Sequence, residues 1–271
     1  MGHESSKGIG MPLDAALAGA LHIEYLRQQD VAISDHPHHA LFQTSTIDAL
    51  LDGRYDGDVT FAELGKRGDL GLGTVDALDG EMILLDSRFY QVRSDGRAYE
   101  IEGRTKTPFA VVTFFEPNLI QPLPNPMDFA GLCSHLDALA PDAATLYAVR
   151  VDAFFEHVRT RSVPRQRKPY PPLSEVVRNQ PTFDLHDVRG SLVGFRFPIK
   201  TQGLNVAGYH FHFITEDRNA GGHVLGCCLS SGEIRIDHEV DLGLELPAGV
   251  ELPMPGTPGR EGEIDRIERE G

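Results

Sequence analysis

The sequence is best understood from one stretch, Gly208-Tyr209-His210-Phe211-His212-Phe213-Ile214-Thr215. Its aromatic and β-branched residues favour a strand, and because side chains alternate along a strand, His210 and His212 share one face. A loop rich in polar residues and glycine follows and leads to a third histidine, His223. Three imidazoles brought together by a hairpin suit a divalent metal that keeps one position open for a substrate. We therefore predict a catalytic metal site.

The third histidine faces the other two only if the strands pair in a suitable register. A hairpin symmetric about Asn219 would place Thr215 opposite His223 and turn that imidazole away from the pair. A shift of one residue restores convergence, and Gly221 and Gly222 are residues that can build such a bulge. The sequence permits three convergent ligands without requiring them. Ligand type alone does not separate zinc, iron(II), manganese and copper.

Length, charge and cysteine content limit the classes of protein to consider. With 271 residues the chain can form one large or two modest domains, and we expect two. The formal net charge of −15 argues against nucleic acid and against an anionic membrane face as partners. No window approaches the ~20 apolar residues of a membrane helix, so we expect no membrane partner. Three irregularly spaced cysteines favour a reducing compartment, and we expect a cytoplasmic protein.

Hydrophobic patterning predicts a chain rich in strands. Alternating or continuous apolar runs predict strands at 41–43, 71–75, 81–85, 89–92, 109–115, 147–154 with a possible extension toward 163, 190–197, 208–215, 223–229 and 233–238. Capping residues and helical spacing predict helices near 47–51, 60–65, 127–139 and 174–178. The fold class that follows is α/β (α+β), with two domains, each built on a mixed or antiparallel β-sheet with peripheral helices.

A basic, proline-rich segment that begins at Pro164 marks the expected domain boundary. We expect an N-terminal extension over 1–35, which includes a helix or a loose segment at 13–29. The N-terminal β-sheet domain is then 36–163, and the C-terminal metal-binding β domain is 164–260. The final residues, 261–271, are charged and have the composition of a disordered tail.

Five motifs follow one another along the chain: Gly71-Leu72-Gly73-Thr74, Leu78-Asp79-Gly80-Glu81-Met82, Thr107-Pro108-Phe109-Ala110, Arg159-Thr160-Arg161-Ser162-Val163-Pro164-Arg165-Gln166 and Gly208-Tyr209-His210-Phe211-His212-Phe213. In this order they resemble the motifs of the alpha-acetolactate decarboxylase family. Any one of these motifs would be weak evidence, but five in the family's order, over roughly residues 41–268, make the resemblance specific.

The resemblance implies a fold, an assembly and a reaction. The family has a two-domain α/β fold and forms a dimer, with the N-terminal domain as the expected contact. Its zinc ion would here be held by His210, His212 and His223. The family converts 2-acetolactate to acetoin and carbon dioxide, and no organic cofactor is expected because the β-carbonyl of the substrate is itself the electron sink.

The resemblance also implies which other residues contact the substrate. Glu81 and Arg161 would be catalytic, and Thr74 would lie beside the substrate with Arg161. A glutamate of the C-terminal tail would enter the site, with Glu268 as the best match and Glu270 as the alternative. The chemistry agrees, because an arginine fork suits a carboxylate and two glutamates can act as general acid and base. Which glutamate has which role stays open.

Two other classes of protein fit part of the pattern. A cupin-type metal-dependent oxygenase or isomerase acting on a small keto or hydroxy acid would use His210, His212 and Glu216, although the second half of that motif is missing. A binding or structural module would use the metal only to stiffen the hairpin, but structural zinc sites usually contain cysteine and fill all four positions. The two enzymes differ in the third metal ligand, which is Glu216 in the cupin alternative and His223 in the decarboxylase.

Overall fold

The structure is a computed structural model that describes residues 22–27, 39–252 and 260–269. Its strands are β1 (His22–Arg27), β2 (Ala40–Thr44), β3 (Val59–Thr60), β4 (Leu70–Thr74), β5 (Glu81–Leu85), β6 (Arg88–Val92), β7 (Ala98–Glu100), β8 (Lys106–Thr107), β9 (Ala110–Thr113), β10 (Leu119–Pro122), β11 (Met127–Asp128), β12 (Leu146–Arg161), β13 (Thr182–Phe197), β14 (Gly208–Thr215), β15 (Gly221–Glu239) and β16 (Asp241–Leu246). Its helices are α1 (Ile47–Leu51), α2 (Phe61–Leu64), α3 (Phe129–Leu139), α4 (Leu173–Val176) and α5 (Glu261–Arg269). Short 3₁₀ turns lie at Asp76–Leu78, Val177–Asn179 and Ile199–Thr201. The predicted mixed class, rich in strands with short helices, is confirmed.

The strands form two large sheets. The first has eight strands in the order β1-β16-β2-β9-β4-β5-β6-β7. The second has six, in the order β10-β15-β12-β13-β14, with β11 paired to β15. The start of β15 also pairs with β14, so β14 lies between β13 and β15. A separate two-stranded ladder joins β3 and β8.

The two sheets pack against each other through a shared apolar layer. Leu72, Ile83 and Val111 of the eight-stranded sheet are buried in one cluster with Val193 and Phe195 of the six-stranded sheet. The opposite face of the six-stranded sheet is covered by α3, whose Leu132 and Leu136 are fully buried. Side chains that point between the sheets from β4, β5, β12, β14 and β15 can therefore meet in one place.

Local capping chemistry explains where the first helices begin. Thr46 accepts a hydrogen bond from the Ala49 amide and caps α1. Thr60 and Glu63 form a reciprocal capping box at the start of α2. Asp128 accepts a hydrogen bond from the Gly131 amide, 2.8 Å away, and caps α3. All three helices lie where the sequence pattern predicts them.

The sheets take strands from both sides of the expected boundary at Pro164. β12 precedes this residue and lies at the centre of the six-stranded sheet, between β15 and β13. β16 follows it and lies in the eight-stranded sheet, between β1 and β2. A linker identified by composition marks a surface crossing, but it carries no information about which sheet a distant strand joins.

Two expectations about the ends of the chain are corrected. Within the N-terminal segment expected to be helical or loose, residues 22–27 form β1, which pairs in parallel with β16. The remaining part of 1–35 lies outside the described residues. At the other end, where the composition predicts a disordered tail, residues 261–269 form α5. Both elements depend on partners far away in the sequence, which local composition does not reveal.

The two strands expected at 223–229 and 233–238 are one continuous strand, β15, over 221–239. Gly232 lies between the two expected strands. In the structure a Cβ at this position would lie 2.3 Å from the Asp152 carbonyl oxygen of β12. The glycine therefore permits close approach of two paired backbones and does not end the strand.

A buried carboxyl group near the end of β15 predicts a pH-dependent stability. Burial, with a smaller contribution from Asp237, raises the pKa of Glu239 from 4.5 to about 8. Between those values the folded state keeps a proton that the unfolded state has lost, so stability falls as pH rises through this window. We expect Glu239→Gln to remove up to about 1.4 kcal/mol of that loss per pH unit.

The measurement is the thermal midpoint of both proteins at pH 5 and pH 9. Because glutamine resembles the protonated carboxyl group, the variant should lose less stability than the parent between the two pH values. The difference between pH values isolates the titration from any packing cost that the amide brings. Parallel curves for the two proteins would contradict the prediction.

Candidate metal centre

The three histidines meet between the two sheets. His210 and His212 lie on β14 and His223 lies on β15, and all three are buried. Their ligand atoms lie within 4.8 Å of one another. Among the described residues this is the one group of at least three such side chains whose ligand atoms are gathered in this way.

The convergence comes from the register of the hairpin. His212 pairs directly with His223, and Phe213 pairs with Gly222. Thr215 and Ala220 close a loop of four residues, so no bulge at 221–222 is needed, and that expectation is corrected. The irregularity of β15 in this region lies against β12, where Arg159 pairs with Gly226 and the next pair is Thr160 with Val224.

Gly222 is nevertheless required by its position. Its φ of +136° is one that residues with side chains rarely adopt. A Cβ there would lie 2.4 Å from the carbonyl oxygen of Arg161. The glycine thus lets β14, β15 and β12 approach closely at the point where they carry His212, His223 and Arg161.

The contacts of the imidazoles indicate which nitrogens face the centre. Nδ1 of His212 lies 2.9 Å from the backbone oxygen of Met82, and because a carbonyl only accepts, this nitrogen carries the proton. Nε2 of neutral His212 then holds a lone pair, 3.6 Å from a carboxylate oxygen of Glu81. Neutral His212 therefore directs the Nε2 lone pair, and not a proton, towards the centre.

The spacing of the other two rings also suits a metal. Nε2 of His210 lies 3.0 Å from Nδ1 of His223. Two nitrogens bound to one tetrahedral zinc at 2.0–2.1 Å would lie about 3.3 Å apart. The arrangement therefore needs only a small adjustment to hold an ion.

The electrostatics keep His210 and His212 in the neutral form that binds metal. Burial lowers the pKa of His210 to about 3, with a further contribution from the positive charge of Arg161. Burial also lowers the pKa of His212 well below its usual value, and His210 and Arg161 act in the same direction. No protons need to be displaced from these two imidazoles at neutral pH when a cation binds. The residues present fit a divalent metal.

Glu81 and Thr74 reach the site from the eight-stranded sheet. They are cross-strand partners at adjacent ends of β5 and β4, and both are buried. The Thr74 hydroxyl donates a 2.7 Å hydrogen bond to the carbonyl oxygen of Gly80. This bond ties the turn before β5 to β4 and so fixes the backbone from which Glu81 extends.

Arg161 reaches the site from the six-stranded sheet. It pairs with His223 across β12 and β15, and only 4% of the residue is exposed. Its Nη1 donates a 2.7 Å hydrogen bond to the side-chain oxygen of Gln180. Gln180 was missed from the sequence, because it lies in an irregular segment before a proline and has no pattern of its own.

These side chains line a common cavity of about 40 Å³. Its polar walls are Thr74, Glu81, Arg161 and the three histidines. Its apolar walls come from both sides of the fold: Ile47, Leu50, Leu78, Phe109, Val163 and Leu173. The arrangement can hold a small anionic molecule against a cation while most of its surface is kept from water.

The C-terminal helix packs beside this cavity. Ile264 and Ile267 of α5 are buried in one cluster with Leu50, Leu78 and Phe109, which line the cavity. Glu268 follows Ile267 on α5. Its side chain lies outside the described part of the structure, as does the whole of Glu270.

Glu216, the metal ligand of the cupin alternative, lies away from the histidines. It is exposed in the loop between β14 and β15 and borders a different pocket, together with Arg150, Arg189 and Arg218. The metal-binding group is formed with His223 instead.

In the described ranges, no helix has the length and apolar character that a membrane crossing requires.

Comparison with known proteins identifies the family. The profile of the family described as alpha-acetolactate decarboxylase matches residues 41–252. Alpha-acetolactate decarboxylase of Methylococcus capsulatus is 51% identical over 212 residues, which are 78% of this chain and 82% of that protein. The Klebsiella aerogenes protein of the same name is 45% identical over 213 residues, 79% of this chain and 82% of its own. The crystal structure of alpha-acetolactate decarboxylase from Bacillus subtilis strain 168 has a TM-score of 0.81 and 38% identity, covering 85% of this chain and 99% of that one. The chain therefore belongs to the alpha-acetolactate decarboxylase family.

Proposed function

We propose that this protein decarboxylates 2-acetolactate to acetoin and carbon dioxide at a divalent metal held by His210, His212 and His223. The observation that carries the proposal is the convergence of these buried imidazoles with Glu81 and Arg161 on one small cavity between the sheets. We further propose zinc as the metal, because three neutral imidazoles with an open position are typical of catalytic zinc. When bound, the ion supplies Lewis-acid stabilisation of the negative charge that develops as carbon dioxide leaves.

Arg161 binds the carboxylate of the substrate in this proposal. Its guanidinium group is permanently charged and presents a planar fork that matches a carboxylate. The side chain is buried, and the hydrogen bond from Nη1 to Gln180 fixes its orientation. A local positive charge is required because the protein as a whole carries a formal charge of −15.

Glu81 moves a proton in this proposal. Conversion of the 2-acetolactate anion to acetoin and carbon dioxide consumes one proton, which becomes bonded to carbon in acetoin. Glu81 lies at the cavity, beside His212 and opposite Thr74. Glu268 would be the second proton-transfer residue, since α5 packs against the cavity wall through Ile264 and Ile267.

Thr74 positions Glu81 and borders the substrate. The hydroxyl proton of Thr74 is donated to the Gly80 carbonyl oxygen, so its lone pairs are what it can offer to a hydroxyl group of the substrate. The apolar walls of the cavity would contact the methyl groups of 2-acetolactate.

We also propose that the protein is a homodimer, with an edge of the eight-stranded sheet as the contact. Sedimentation equilibrium tests this directly.

The test of the function is incubation of the purified protein with racemic 2-acetolactate, with and without a chelator. We expect acetoin and carbon dioxide in equal amounts from the metal-loaded protein and a large loss of both after chelation. Restoration by added zinc would support zinc as the working metal. Failure to form acetoin with metal bound would overturn the proposed function.

Arg161→Lys is expected to lower kcat/KM for 2-acetolactate by about 10-fold to 100-fold. Lysine keeps the charge but loses the fork, and its flexible stem cannot make the same contact with Gln180. The matched control is Arg159→Lys on the same strand, because Arg159 is exposed. Equal kinetics for the Arg161 variant and the control would remove Arg161 from substrate binding.

A further inference from the structure

Three side chains of types that can bind metals lie in a row across the six-stranded sheet, away from the histidine centre. His157 of β12 pairs directly with His186 of β13 and with Cys228 of β15. Directly opposed residues on neighbouring strands point to the same face. The three side chains therefore form one row across three adjacent strands, which we call the His-His-Cys row.

The local backbone directs His157 into this row. The register of β12 against β15 shifts between Phe155 and His157, and such irregularities change the face that a side chain occupies. Phe155 and Val158 both remain in the apolar cluster under α3. The shift thus leaves His157 on the opposite face while the strand keeps its buried residues.

The side chains of the row are accessible to solvent, and together they offer nitrogen and sulfur ligands. Cys228 and His186 are exposed, and the side chain of His157 is 36% exposed. The rings of His157 and His186 stack with centroids 4.8 Å apart and an angle of 24° between their planes. Two parallel imidazoles at this separation can each direct one nitrogen to a shared ion, and a thiolate completes a nitrogen and sulfur set typical of zinc.

Asp184 prepares one of the imidazoles for binding. Nε2 of His157 lies 2.7 Å from a carboxylate oxygen of Asp184, so this nitrogen donates the hydrogen bond. In neutral His157 the Nδ1 lone pair is then left for a metal. A carboxylate that orients a metal-binding histidine through its other nitrogen is a common arrangement around bound metals.

We propose that His157, His186 and Cys228 form a second, exposed binding site for a zinc-like divalent cation, with Asp184 orienting His157. Only the three histidines of the metal centre have ligand atoms already gathered among the described residues, so the row closes around an ion by rotation of exposed side chains. The bound ion links β12, β13 and β15. It is separate from the proposed decarboxylation, because no residue of the row lines the central cavity.

The test uses cobalt(II), whose bonds to thiolate absorb in the near ultraviolet. The metal centre contains no cysteine, so a cobalt–thiolate band does not come from cobalt that enters the centre, and cysteine variants assign it to one thiol. Zinc-loaded, full-length protein in a phosphine reductant is titrated with cobalt(II). We expect the band in the parent protein, its loss in Cys228→Ser, a large reduction in His186→Ala, and its retention in Cys133→Ser. Absence of the band in the parent, or its persistence in Cys228→Ser, would overturn the proposal.

A second measurement follows the thiol itself. Alkylation of Cys228, quantified by mass spectrometry, should slow by about tenfold or more when zinc is added, because a bound thiolate is a poorer nucleophile. His186→Ala should lose this protection. Acetoin formation should be unchanged in Cys228→Ser, so failure of the row and failure of the proposed function are separate results. Equal alkylation rates with and without zinc in the parent protein would contradict the site.

Discussion

Replacing Glu81 with glutamine is expected to leave the metal bound and to lower kcat for 2-acetolactate by about 10²-fold or more. The substitution keeps the size and much of the hydrogen bonding of the side chain but removes its ability to give up or regain a proton. His210, His212 and His223 are untouched, so metal content measured by elemental analysis should remain that of the parent. The proposed role of Glu81 therefore separates metal binding from turnover.

The kinetic pattern distinguishes proton transfer from a merely structural role. If Glu81 acts in the transition state, kcat and kcat/KM should fall together while KM changes little. Glu100→Gln is the matched control, because Glu100 is exposed on β7 of the same sheet. Turnover near that of the control would remove Glu81 from the mechanism.

The elements predicted best from the sequence are those with local signals. Thr46 and Thr60 cap helices where the pattern predicts them, and the strand that carries His210 and His212 has the predicted bounds. What could not be predicted depends on pairing between distant residues. Sequence gives no sign that 22–27 would pair with 241–246 in parallel. Likewise, α5 gains its buried face only from side chains contributed by other parts of the chain.

The candidate site divides in the same way between residues with a local sequence signal and residues that depend on distant pairing. A His-x-His strand and a third histidine after a loop suffice to predict metal ligands, because strand periodicity fixes two of them. The register that brings in the third histidine, His223, depends on the length of the loop. The expected bulge at Gly221 and Gly222 is not what sets this register. Glu81 and Arg161 have no local pattern that marks them as functional, and they were found only through resemblance to a family. Gln180, which fixes Arg161, belongs to none of the motifs and was found only in the structure.

His223→Ala is expected to lower metal affinity by about 10²-fold or more and to reduce acetoin formation to background. His223 pairs with His212 and faces His210, so its loss leaves two imidazoles from a single strand. Metal content after dialysis should fall well below that of the parent. Added zinc at high concentration should restore part of the activity if the remaining ligands keep their positions.

Glu216→Ala is the matched control, because the cupin alternative assigns the third ligand to Glu216 and the decarboxylase assigns it to His223. Glu216 is exposed at the tip of the same hairpin, so both variants change one hairpin residue to alanine. His223→Gln, which preserves more volume at the buried position, together with circular dichroism of each variant, separates metal loss from unfolding. Metal retained in a folded His223 variant and lost in the Glu216 variant would reverse the assignment. The opposite pattern follows from the register, because the strand pairing that sets His212 opposite His223 leaves Glu216 in the loop.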